Sequence, residues 1–195
     1  SAYVHLRNIG HIRKFLTVDA TKALVNALVT FRLDYCNALL IGVPNTVLSK
    51  LQRVQNTAAR IVTRTPRWNH ITPVLKDLHW LPVYYRIKFK ILTHTFKALS
   101  GQSPRYIKEL LEVYRPVRDL RSQNSRTLVV PKTRTNQYGN RSFKFAAPNL
   151  WNSLPSSIQN ATNLELLEKD TLLREALFIL ITAVFLILDL LILPF

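Results

Sequence analysis

From Asn45 to Arg64, apolar residues fall at Leu48, Leu51, Val54, Ala58, Ile61 and Val62, a rhythm of threes and fours. That rhythm marks one face of an α-helix, and a stripe of this length has to be buried against other elements. A chain holding such a segment folds by packing helices together. Gly42-Val-Pro44 ends whatever precedes it, and Asn45 or Thr46 supplies an N-cap. Lys50, Arg53 and Arg60 fall mainly on the other faces of this helix.

The same punctuation recurs on either side. Asp19 is a candidate N-cap for a helix over Ala20–Leu40, with Leu24, Leu28, Val29, Phe31 and Leu33 as its apolar positions. Thr72-Pro73 pairs a cap with a proline at the first helical position and opens a short helix through Leu78. A longer helix follows Pro82, from about Val83 to Ser100, and Gly101 stops it. Ser103-Pro104 starts another, to about Tyr114. Beyond Pro116 the texture changes. Arg118–Arg126 is polar and basic and reads as a loop. Thr127–Val130 and Ser142–Phe145 are short extended candidates on either side of Gly139-Asn140, and Ala146–Leu154 is a short helix around Trp151. The expected fold class is mainly α: a small helical bundle over 1–115, an irregular α+β extension over 116–165, and a C-terminal hydrophobic helix over 171–195.

Charge narrows the partner. The chain carries 27 Lys and Arg against 11 Asp and Glu, a formal net charge of +16. Such an excess is beyond what solubility needs and points to a polyanionic partner: RNA, DNA or an acidic membrane surface, with nucleic acid, held through its backbone without sequence preference, the favoured one. Residues 161–195 hold more acids than bases, so the positive excess lies in the first 160 residues.

Catalytic chemistry finds no foothold. Four scattered glycines cannot form a phosphate cradle, and His5, His11, His70, His79 and His94 lack metal-ligand spacing. Polymerases and nucleases cluster acids around Mg²⁺, whereas Asp19, Asp34, Asp77, Glu109, Glu112 and Asp119 are scattered. The single cysteine, Cys36, excludes an intrachain disulfide and a multi-Cys zinc site, and reads as a core residue on an apolar helix face. No cofactor is expected, and the chain reads as no enzyme by itself.

What remains is basic residues interleaved with aromatics. Arg60, Arg64, Arg67 and Trp68 cluster at the end of the second helix. Arg86, Lys88, Lys90 and Lys97 mark the long helix after Pro82, beside Tyr84 and Tyr85. Arg118, Arg121, Arg126, Lys132, Arg134, Arg141 and Lys144 populate the irregular region. With Lys50 and Arg53 these supply the candidate phosphate contacts, and aromatics can stack on unpaired bases. Trp80, Trp151, Phe89 and Phe96 read instead as core.

The tail Ala176–Phe195 is apolar all round apart from Thr182, Asp189 and Pro194. As a helix it would be about 30 Å long, one hydrocarbon core, so Ala176 to Leu193 is a candidate membrane segment. Asp189 opposes insertion, by about 2.5–3.5 kcal/mol near the bilayer centre.

Three blocks of residues carry a resemblance. One is Phe31-Arg-Leu-Asp-Tyr-Cys-Asn-Ala-Leu-Leu with Leu51-Gln-Arg-Val-Gln-Asn-Thr-Ala-Ala-Arg. The second is Asn69-His-Ile-Thr-Pro-Val-Leu, Leu78-His-Trp-Leu-Pro-Val and Arg86-Ile-Lys-Phe-Lys, and the third Phe145-Ala-Ala-Pro-Asn-Leu-Trp-Asn-Ser-Leu-Pro. In this order, over about residues 1–165, the chain resembles the C-terminal part of reverse transcriptases of LINE-type (non-LTR) retrotransposons. The resemblance implies that the early helices are thumb-like and grip a template–primer duplex by its backbone. It also implies that the catalytic Asp-Asp motif belongs to an upstream palm, with fingers and palm as partners in a longer protein. Met is absent throughout, as expected of an internal piece. After about Leu164 the family continues with a basic amphipathic helix, whereas Glu165–Asp170 is acidic here and the apolar tail follows. Truncation or rearrangement accounts for that departure. Two other readings stand beside the first: a tail-anchored basic membrane protein, its body in the cytoplasm or nucleus, and a relic without selected function.

Overall fold

The computed structural model describes residues 2–115, 126–135 and 138–159, and these are mainly helical. The helices are α1 (Ala2–Ile12), α2 (Val18–Val25), α3 (Phe31–Asp34), α4 (Asn45–Thr63), α5 (Ile71–Asp77), α6 (Val83–Leu99), α7 (Arg105–Lys108), α8 (Phe143–Asn152) and α9 (Ser156–Gln159). Among the described residues, strand pairing is limited to one antiparallel bridge between Val113 and Leu128. The described residues divide into two compact units, one within 1–94 and 131–147, the other within 95–130 and 148–159.

In the first unit the core is built where three amphipathic faces meet. Leu6 and Ile9 of α1, Val25 of α2 with the following Val29, and Val54, Ala58 and Val62 of α4 are buried together. Ala59, one position round α4, packs instead on Val74 and Leu75 of α5. Two glutamines on α4 anchor the start of α6. Gln55 is buried and donates to Leu81 O (2.8 Å), while Gln52 Oε1 accepts from Val83 N–H (2.9 Å), the first donor of that helix. Arg13, just after α1, is also buried: its guanidinium donates to Ile61 O (2.9 Å), Val62 O (2.8 Å) and Leu16 O (2.7 Å). It thereby satisfies carbonyls at the end of α4 that have no helical partner, with its positive charge at the negative end of the helix dipole.

The second unit is organised by Trp151, which is fully buried and donates from Nε1 to Arg126 O (2.7 Å). Next to it, Asn152 accepts from Leu128 N–H (2.9 Å) and donates to Leu128 O (2.8 Å), acting as a surrogate strand neighbour. Gln159 closes this end by donating to Trp151 O and Leu154 O.

Several expected boundaries shift. The helix placed over Ala20–Leu40 is broken: it starts at Val18 with Thr17 as its cap, widens into a π-turn over Asn26–Thr30, and ends at Asp34. Asp19 lies in the first turn, where its charge favours the helix dipole without capping. Cys36 adopts left-handed φ (52°) and is exposed, so it is not the core residue expected; no glycine or proline marks the break. At α4 the capping position is Pro44, with no side-chain cap from Asn45 or Thr46. The helix expected to Tyr114 is only Arg105–Lys108, because Glu112–Tyr114 pair with 127–129 through Val129 N–H to Glu112 O (2.8 Å) and Tyr114 N–H to Thr127 O (2.9 Å). Ser142–Phe145 is not extended: Phe143 begins α8, with Phe145 N–H and Ala146 N–H bonded back to Ser142 O. Without a partner strand an extended segment leaves its peptide groups unpaired, and the helix satisfies them locally. The α+β character expected of 116–165 thus shrinks, among the described residues, to one bridge. The hydrophobic helix of 171–195 lies outside the described residues, and no helix within them is long and apolar enough to cross a membrane.

Candidate nucleic-acid interface

The faces of α1 and α4 that are not buried form the two walls of a groove of about 900 Å³. On α4, Lys50, Arg53, Thr57, Arg60 and Arg64 repeat every three or four residues and share one side of the helix. The same spacing on α1 aligns Tyr3, Arg7 and Gly10. The groove is lined by Tyr3, Arg7 and Gly10 on one side, by Arg53, Asn56, Thr57, Arg60 and Arg64 on the other, with Leu6 and Ile61 contributing apolar surface. Thr65, Pro66 and Arg67 complete it. Five arginines and no carboxylate line this groove. A polyanion bound here would relieve their mutual repulsion, and their planar donors suit phosphate oxygens.

The five do not play equal parts. Arg7, Arg53, Arg64 and Arg67 are exposed. Arg60 is half-buried and turned onto the backbone: one Nη donates to Pro66 O and the other to Asn69 O (2.9 Å). Arg64 takes left-handed φ (57°), ends α4, and donates to Arg13 O (3.1 Å). The chain then makes a tight turn over Pro66–Asn69, closed by Asn69 N–H to Pro66 O (3.3 Å), with Trp68 exposed in it.

Of the residues grouped at the end of the second helix, Arg60, Arg64 and Arg67 line the groove and Trp68 does not; Arg53 joins them, and Lys50 extends their row by one turn without lining it. Arg86 lies elsewhere, paired with Asp34. Burial pushes the Asp34 carboxyl above its ordinary value, and the charges of Arg86 and Lys90 only partly offset this. Lys88 sits over the Tyr84 ring, its Nζ 4.4 Å from the centroid. Lys90, Lys97, Arg126, Lys132 and Arg134 are exposed and none of them lines the groove. Arg118 and Arg121 lie outside the described residues. Sequence reasoning did not find Arg7 and Tyr3. The usable signal was their four-residue spacing across from Leu6 and Ile9, which marks residues 2–12 as an amphipathic helix. It also missed Arg13, a basic residue spent on structure.

Among the described residues no three His, Cys, Asp or Glu side chains gather as a metal site. No protein-family model matches the chain, and neither curated proteins nor solved structures yield a match.

Proposed function

We propose that this chain is the nucleic-acid-gripping, C-terminal part of a retrotransposon-type reverse transcriptase, holding RNA or DNA by its phosphate backbone and contributing no catalytic group. The observation that carries this is the groove between α1 and α4, where five arginines converge without a lining carboxylate. The thumb-like assignment of these helices comes from the residue strings at 31–40, 51–60 and 69–90, and it fits a groove that contacts backbone rather than base edges.

Binding of an RNA–DNA hybrid tests the proposal. Affinity falls at least about ten-fold between roughly 50 and 200 mM salt, because each neutralised phosphate releases counterions. Arg53→Gln with Arg67→Gln weakens binding at low salt while the melting temperature stays near that of the parent. No binding at low salt, or binding indifferent to salt, overturns the reading.

The apolar run Ala176–Phe195 supports a second reading, a basic protein tethered by its tail. Deleting residues 171–195 then moves the protein from the membrane to the soluble fraction. An unchanged distribution removes this second reading.

A further inference from the structure

One residue beyond Arg67, which lines the groove, Trp68 is 86% exposed. An indole this open leaves one of the largest apolar side chains in water, and its ring faces are free to be covered by a partner. Elsewhere in the first unit, lysines already cover aromatic faces: Lys14 lies 4.8 Å from the Phe15 centroid and Lys88 covers Tyr84.

The turn that carries Trp68 is held from three sides. Proline fixes φ at position 66, Asn69 N–H bonds to Pro66 O (3.3 Å), and the Arg60 guanidinium bridges Pro66 O and Asn69 O, the two ends of the turn. The backbone that carries the indole is therefore fixed before anything binds, which lowers the ordering cost of using the ring. Arg67, its immediate neighbour, lines the groove. Trp68 does not itself line the groove, but it directly follows a residue that does, so a strand whose phosphates follow the arginines as far as Arg67 would pass beside the turn that carries the ring. Inside a duplex the bases are already stacked and paired, so only an unpaired one can lie on the indole.

We propose that the groove takes an unpaired nucleic-acid strand, RNA or DNA, and that Trp68 is its base-stacking platform, with Arg60 as the residue that positions it. This rests on the nucleic-acid reading of the groove and adds the class of ligand: single strand with bases, not backbone alone.

The test uses the full chain with short homopolymer single strands, uridine RNA and thymidine DNA. A fully abasic sugar–phosphate strand and a blunt duplex of equal length serve as controls. Expected are tighter binding of at least one base-bearing single strand than of the abasic strand, and a loss of roughly ten-fold for that strand in Trp68→Leu. Abasic and duplex affinities stay unchanged in the same variant, Trp68→Phe recovers most of the loss, and quenching of indole emission on binding disappears in Trp68→Leu. Arg60→Gln diminishes the advantage of base-bearing over abasic strands although Trp68 is intact. Equal affinities for base-bearing and abasic strands in the parent, or a Trp68→Leu variant that weakens all ligands alike, overturns the stacking proposal and leaves the groove's role standing. Absence of salt-sensitive binding to every ligand overturns the groove's role itself.

Discussion

Among single residues, the basic ones divide by what their donors face. Arg13 faces three carbonyls and almost no water, so its contribution is to folding. Replacing it by Met keeps most of the apolar stem and leaves the Ile61 and Val62 carbonyls at the C-terminal end of α4 without their donor. The expected cost is about 3 kcal/mol, the range for charge-assisted bonds and orphaned buried acceptors, read from urea denaturation. Asp34 gives a second prediction, with the sign set by burial. Its folded carboxyl holds the proton to higher pH than the unfolded chain, whose value is about 3.9. The stability it contributes is therefore complete below that value and is lost as pH rises through the raised folded one. The melting-temperature difference between parent and Asp34→Asn should shrink or reverse over that window. Arg86 lowers the Asp34 value, so Arg86→Gln raises it further, and a fall seen by NMR titration contradicts the assignment.

At the scale of elements, α4 and α6 were legible and the stretch between α2 and α4 was not. The apolar stripe of α4 lands on the core, with Val54, Ala58 and Val62 buried, and Pro82 and Gly101 bracket α6 as read. Both segments carry period and punctuation together. Between Asn26 and Leu40 the helical ladder loosens, ends at Asp34 and gives way to a left-handed Cys36, with no glycine or proline in that stretch to signal the break, so tertiary packing decides. The 112–114 and 127–129 pairing was hidden for a related reason: its bonds join residues distant in sequence. Two glycines give opposite predictions. Gly10, inside α1, has open space where a Cβ would sit, so Gly10→Ala stabilises by about 0.5–1 kcal/mol. Gly42 has φ +69° and a Cβ there would meet Arg141 Cγ at 2.7 Å, so Gly42→Ala destabilises by about 1–2 kcal/mol or more. Thermal unfolding of the two variants should move in opposite directions.

For the whole molecule, the question is whether +16 acts as a diffuse cloud or through one place. Composition alone cannot distinguish these, since any cationic surface attracts a polyanion. Under the proposed function the answer is local. Arg7, Arg53 and Arg67 line it and are exposed, whereas Arg60 and Arg64 already donate to backbone carbonyls. Each phosphate contact contributes about 0.7–0.9 to the slope of log K against log salt. Replacing Arg7, Arg53 and Arg67 by Gln should therefore flatten the slope by about two to three, and Arg60→Gln by less than one. Lys76, Arg105 and Lys108 are also exposed and line no part of the groove. Their replacement by Gln removes the same formal charge and should leave the slope nearly intact. A diffuse cloud makes the two triple variants alike; a built groove separates them, and only the second outcome is consistent with arginines gathered by the packing of α1 on α4.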